Sequence, residues 1–156
     1  MGMEYLRVVE TGEGIEQAIL KEFAYHRRRQ DSVNSGYPTL LVISPGAAAG
    51  GLTLPTACRT VLLPGDACGL PKGLRAASAV SYGTSPRNSL TLSSRRKGRL
   101  WAALQRELVT VDGQVVERQE FSVPVRSPQG ELAALAVAGA LLLLGVPPEE
   151  LDQQER

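Results

Sequence analysis

The longest apolar run in the sequence is LAALAVAGALLLL, residues 132–144, which contains no charged side chain. A helix needs about 20 apolar residues to span a bilayer, and this run ends earlier, at Gly145 and the prolines that follow. Its Ala and Leu content favours helix over strand, and Gly145 suits the C′ position that ends a helix. The run therefore predicts a helix buried on nearly all sides, which a layered domain can enclose.

Short β-forming runs bounded by Gly and Pro supply a layer against which such a helix can pack. Little polar alternation interrupts them, as is typical of interior strands in a sheet covered on both faces. After the first run, apolar side chains recur at helical spacing at Ile15, Ile19, Leu20 and Phe23. The predicted strands cover residues 4–10, 39–44, 60–64 and 78–83.

The middle third of the chain predicts antiparallel hairpins. Partial alternation runs through residues 88–94, 99–108 and 115–125, and Asp112-Gly113 is a hairpin-turn signal. The charged stretch VERQE is typical of a guarded edge strand, or of a strand that meets a second copy across a two-fold axis. We expect a single α/β domain over residues 1–156, a three-layer domain with a mixed, mainly parallel sheet and an antiparallel hairpin extension.

Composition and cysteine spacing exclude several classes of function. Lys and Arg number 17 against 16 for Asp and Glu, so the chain has no overall basic field to gather nucleic acid or an anionic membrane. Cys58, Cys68 and the single His26 do not have the spacing of metal ligands, so no metal or other cofactor is expected. The first residues lack the pattern of an export signal, which indicates a cytoplasmic protein with free thiols.

Three segments between residues 60 and 151 follow one another in a characteristic order. They are a strand ending in Gly65-Asp66, a strand ending in Tyr82-Gly83, and the apolar helix that stops at Leu-Gly-Val before an acidic helix. In this order they resemble the late part of the central domain of the Mur ligases, ATP-dependent enzymes that add amino acids to UDP-N-acetylmuramate. The resemblance covers roughly residues 60–151, and it implies a Mur-ligase-central-domain-like fold in a bacterial protein.

Departures from the family pattern argue against ligase activity. Mur ligases bind ATP through a glycine-rich loop that closes in Gly-Lys-Ser/Thr, whose amides hold the phosphates. This sequence contains no such motif, and it lacks the asparagine that the resemblance places near Gly130. The resemblance therefore implies the fold without the ATP-dependent reaction.

The Gly- and Ala-rich segment at residues 45–51 is the nearest approach to a phosphate-binding loop. Pro45 removes one backbone donor, and no Lys or Arg follows before Arg59. We interpret the segment as a tight, flexible excursion from the sheet, with anion binding as the alternative. A ligand cleft at the strand ends would be lined by Ser44, Gly46, Gly50, Asp66, Thr84, Ser85 and Arg87.

Two hypotheses for function follow. The first is a non-catalytic binding or assembly module, which would act through an edge strand or the cleft, as a homo-oligomer or with a protein partner. The alternative is a small nucleotide- or phosphate-ligand-binding protein, or an enzyme, that uses the cleft. The basic run at residues 95–99 predicts a solvated hairpin tip, with an acidic partner or RNA left open. No hydroxyl or thiol lies in a recognisable His and acid context, so no catalytic or cofactor-binding residue is predicted.

Overall fold

A computed structural model describes residues 6–25, 39–49, 57–65, 73–96, 99–124 and 130–151. These residues form a seven-stranded mixed sheet, a separate two-stranded hairpin and four helices, which confirms the α/β class. The strands are β1 (Leu6–Val9), β2 (Leu40–Ile43), β3 (Ala57–Pro64), β4 (Arg75–Gly83), β5 (Leu90–Arg96), β6 (Arg99–Leu104), β7 (Leu108–Val109), β8 (Val115–Val116) and β9 (Gln119–Pro124). The helices are α1 (Ile15–Tyr25), α2 (Pro45–Ala49), α3 (Glu131–Leu143) and α4 (Pro148–Leu151).

The strands of the large sheet lie in the order β1-β2-β3-β4-β5-β6-β9. The first five pair in parallel, and β6 and β9 continue the sheet as antiparallel strands. The mainly parallel sheet and its antiparallel extension are thus confirmed. Strand order follows chain order without a reversal, so the parallel part of the described sheet has no topological switch point of the kind that commonly forms a ligand crevice.

The segment after β2 departs from the prediction of a flexible excursion, because Pro45–Ala49 forms a short helix. Ser44 is its N-cap, and its hydroxyl accepts the backbone N–H of Ala47 at 2.9 Å. Pro45 follows at the first helical position, where its missing N–H costs nothing. The Gly and Ala content of the segment indicates flexibility, but Ser44 and Pro45 are helix-start signals, and they decide the local structure.

Helix α3 is buried as predicted, since eleven of its thirteen residues are buried. Gly139 lets it approach the sheet, because a Cβ there would lie only 3.1 Å from a methyl carbon of Leu62. Gly145 ends the helix with φ +103°. Its N–H donates to Leu142 O at 3.0 Å and the N–H of Val146 donates to Leu141 O at 2.9 Å, which confirms the predicted C′ stop.

Apolar side chains form one cluster on each face of the sheet. On the first face, α1, α3 and α4 pack over alternate strand residues such as Leu40 and Leu62. On the second face, Ala47 of α2 packs with Leu41 and the intervening strand residues. This arrangement places the ends of β1 to β4 and their following loops together along one edge of the domain.

Turn chemistry in the hairpins also agrees with the predictions. Gly113 has φ +90° between β7 and β8, and the basic run begins in β5 and ends in β6 on either side of a hairpin connection. Strand β9 lies at an edge of the described sheet, as its charged sequence indicates. Arg95 Nε in β5 lies 2.7 Å from Glu131 Oε2, and this ion pair joins the β5–β6 hairpin to the first turn of α3.

Within the described residues, no helix is long and apolar enough to cross a membrane. His26 and Cys68 lie outside the described residues.

Candidate functional site

The loops that follow β1 and β2 are joined by a single carboxylate. Glu13 Oε2 accepts the backbone N–H of Gly46 at 2.7 Å. Glu13 Oε1 accepts the N–H of Thr11 at 2.7 Å and its hydroxyl at 3.1 Å. The N–H of Gly46, in the first turn of α2, is therefore already paired with the Glu13 carboxylate.

Close packing fixes the identity of residue 46 in this arrangement. A Cβ at Gly46 would collide with the Thr11 hydroxyl and lie 2.7 Å from Glu13 Oε2. Only glycine therefore permits the β1 loop to approach this closely.

Hydrogen bonding controls the charge of Glu13. Partial burial by itself raises the pKa of its carboxyl. The hydrogen bonds donated by Thr11, Gly46 and Ser44 outweigh burial and lower that pKa below its ordinary value. Glu13 therefore stays ionised at neutral pH, which strengthens the hydrogen bonds that its carboxylate accepts.

A second acidic residue satisfies the start of α1. Glu10 accepts the backbone N–H of Ile15 at 2.7 Å and that of Glu16 at 3.1 Å, and a negative charge at this end also complements the helix dipole. The prediction of site residues missed both Glu10 and Glu13. Carboxylates just before a helical pattern, in ETGEGI, were the available signal for Glu10.

Tyr82 fixes the end of β4 relative to β2. Its side chain is fully buried, and its hydroxyl donates to Ile43 O at 2.7 Å. Burial raises the pKa of Tyr82, and the negative charge of Glu13 raises it further. The phenol is therefore protonated and acts as a donor that ties the end of β4 to the end of β2 across β3.

Asn88 occupies the space between the ends of β3 and β4. Its side chain is buried, its Nδ2 donates to Ser85 O at 3.0 Å, and a Cβ at Gly65 would overlap its oxygen. A Cβ at Gly83 would lie 2.7 Å from its Nδ2. The glycines of the two strand-end turns are thus needed to accommodate one amide side chain.

The loop after β4 is held largely by its own side chains. Ser85 Oγ accepts the N–H of Arg87 at 3.2 Å, and Arg106 Nη2 donates to Arg87 O at 3.1 Å. Thr84 and Arg87 are exposed. Arg106 lies beside Arg87 because the end of β6 lies near this loop. The site prediction omitted Arg106.

The structure brings together only some of the predicted cleft residues. Ser44 and Gly46 meet at Glu13 after β2, whereas Thr84, Ser85 and Arg87 lie together after β4. Strand β3 separates the two groups in the sheet. Gly50 and Asp66 lie outside the described residues.

Other reactive groups in the described part of the chain are few. No set of three His, Cys, Asp or Glu side chains among the described residues is grouped to hold a metal ion. Cys58 is buried with a free thiol, and burial raises its pKa to about 11. It therefore lacks the thiolate character of a nucleophile.

Comparison with known proteins supplies no assignment: no protein-family model matches this chain, and no curated protein matches it.

Proposed function

We propose that the chain is a non-catalytic binding or assembly module with a Mur-ligase-central-domain-like topology, acting in the bacterial cytoplasm. The segments that carry the resemblance correspond to β3, β4, the antiparallel extension and α3, in that order. The absence of a Gly-Lys-Ser/Thr loop from the sequence supports a module that does not hydrolyse ATP.

The contact between Glu13 and Gly46 is the observation that carries this proposal. An anion-binding loop works by directing unpaired N–H groups at a ligand. In this chain the Gly46 N–H is already directed at the Glu13 carboxylate. A phosphate would have to displace an ionised side chain that is tied to both loops, which disfavours a ligand at this position.

Edge strand β9 supports an assembly role. In the described sheet it pairs with β6 on one side only, and its exposed Glu120 lies two residues after Arg118, which is exposed just before the strand. Opposite charges this close in sequence allow the same strand to meet its own copy across a two-fold axis. The edge is thus suited to selective pairing and guarded against uncontrolled pairing.

The alternative is a protein that binds a small phosphate ligand or nucleotide after β4. Its specific support is the placement of Arg106 beside Arg87 near an exposed Thr84. Two guanidinium groups and a hydroxyl are suitable donors for an anion.

Thermal unfolding and sedimentation together distinguish these functions. Nucleotides, UDP-sugars and inorganic phosphate, each with and without Mg²⁺, are titrated against the protein. The module hypothesis predicts an unchanged Tm together with concentration-dependent self-association or binding to a protein segment. A Tm that rises with ligand concentration, and whose rise is lost in Arg87→Ala/Arg106→Ala, would contradict that hypothesis and support the alternative.

A further inference from the structure

A groove of about 580 Å³ lies between the β7–β8 hairpin and the turn that joins α3 to α4, away from the strand-end loops. Its apolar lining includes Val115, Val116 and Pro147, and its acidic lining includes Asp112, Glu117 and Glu149. We call this feature the hairpin groove.

Both walls of the hairpin groove are anchored to the core. Val111 is buried, and its N–H donates to Leu143 O at 2.9 Å, which attaches the hairpin turn to the end of α3. The opposite wall starts at Gly145, where the helix-ending hydrogen bonds fix the direction of the chain. The groove is therefore formed before any partner arrives, which lowers the entropic cost of binding.

The groove presents apolar surface to solvent. Val115 is 57% exposed, although the burial of a valine side chain is energetically favourable. Val116 and Pro147 beside it are half-buried. An aliphatic side chain from a partner would cover this surface.

The charged side chains that line the hairpin groove are all acidic. Asp112, Glu117 and Glu149 are exposed, and the described residues that line the groove include no Lys or Arg. The complete chain is nearly balanced, with 17 basic and 16 acidic residues, so this is a local concentration of negative charge. Such a rim attracts cationic groups and repels phosphate-bearing partners such as RNA and acidic lipid.

We propose that the hairpin groove docks a partner-protein segment in which an aliphatic side chain is flanked by Lys or Arg. The aliphatic group would cover Val115 and Pro147, and the cationic groups would pair with the acidic rim. This inference rests on the proposed function as a binding module and names the chemistry of its partner. Apolar contact supplies affinity in this arrangement, while the charges supply selectivity and faster association.

The test is a selection of displayed random peptides on the purified protein, with excess soluble Val115→Asp protein as competitor. Leu20→Asp is the matched control, since Leu20 is 52% exposed on α1 and does not line the groove. Enriched peptides are synthesised with a fluorophore, and their affinity is measured by anisotropy at low and high salt. Native-like spectra and unchanged unfolding of both variants establish that they fold.

The proposal expects enriched peptides to carry Lys or Arg next to Leu, Ile or Val. Their affinity should fall about tenfold or more in Val115→Asp, as for truncation of an interface anchor, and remain within about twofold in Leu20→Asp. It should also fall at high salt and in Glu117→Gln/Glu149→Gln.

Three results would overturn the proposal. They are the absence of enrichment, enrichment of peptides without basic residues, and self-association that Val115→Asp abolishes, since the last would make a second copy the occupant. A Tm response to nucleotides or UDP-sugars that persists in Val115→Asp would instead count against the proposed function. The two failures are thus separable.

Discussion

The carboxylate of Glu13 accepts the backbone N–H of Gly46 at 2.7 Å and so joins loops that lie 33 positions apart in the chain. The chain itself supplies the anion at the point where its sequence most resembles a phosphate-binding loop. This contact has consequences for the stability of the protein and for the pH dependence of that stability.

Glu13→Gln should destabilise the protein by about 1–3 kcal/mol, since the variant loses charge-assisted hydrogen bonds. Urea unfolding at neutral pH measures this difference. Glu107→Gln, at an exposed residue between β6 and β7, is the control and should change stability by less than about 0.5 kcal/mol. Equal stability of Glu13→Gln and the parent protein would contradict the role assigned to the carboxylate.

The stability difference between the parent protein and Glu13→Gln should depend on pH. The pKa of Glu13 is lowered by folding, so its ionised form stabilises the native state above the unfolded value of 4.5. That contribution should disappear as pH falls through the lower folded pKa. Unfolding free energies of both proteins, measured from neutral to acidic pH, should therefore converge in acid; parallel curves would count against the linkage.

The packing of Asn88 against Gly65 predicts strong coupling between these positions. Gly65→Ala should cost about 2–3 kcal/mol, because the new Cβ overlaps the buried amide and must displace it. Asn88→Ala removes the obstacle, so the double variant should be more stable than the sum of the single effects by about 1 kcal/mol or more. Chemical denaturation of all four proteins gives the coupling energy, and simple additivity would exclude the proposed contact.

Local signals account for what the sequence predicts correctly. The apolar run, Gly145 and Asp112-Gly113 each specify structure within a few residues, and α3 and the β7–β8 turn form where these signals lie. Helix α2 also had local signals in Ser44 and Pro45, although the Gly and Ala content obscured them. For these elements, periodicity and turn chemistry were sufficient.

The candidate site depends on contacts that local sequence does not specify. Glu13 meets Gly46 because β1 and β2 pair with Val9 beside Ile43, which brings their following loops together. Likewise, Asn88 reaches Gly65 only because Pro64 lies beside Tyr82 in the pairing of β3 with β4. Strand order and register decide both contacts, and neither can be predicted from residue type or spacing.

Cys58 should react slowly in the native protein. Its thiol is buried and its pKa is about 11, so near pH 8 its thiolate fraction is about a hundredfold below that of a thiol with the reference value of 9.0. Peptide mass spectrometry after timed iodoacetamide exposure measures modification at this residue. Urea should raise the rate in parallel with unfolding, whereas rapid native labelling would show that the thiol is accessible.

The close approach of α3 to the sheet predicts a steep size dependence at Gly139. A Cβ at this position would lie 3.1–3.2 Å from methyl carbons of Leu62 and Leu90. Alanine gains about 1 kcal/mol in helix propensity, which partly offsets the crowding. Valine adds two further methyl groups and should cost about 2–3 kcal/mol, because a close-packed core accommodates added volume poorly.

Gly130→Val is the control for Gly139→Val, since a Cβ at Gly130 meets nothing within 4 Å and its backbone is extended. This control should change stability by less than about 1 kcal/mol. Thermal and urea unfolding of the four proteins, including Gly139→Ala, measures the series. If Gly139→Val were as stable as Gly130→Val, α3 would not pack against Leu62 of β3 and Leu90 of β5 as closely as the structure shows.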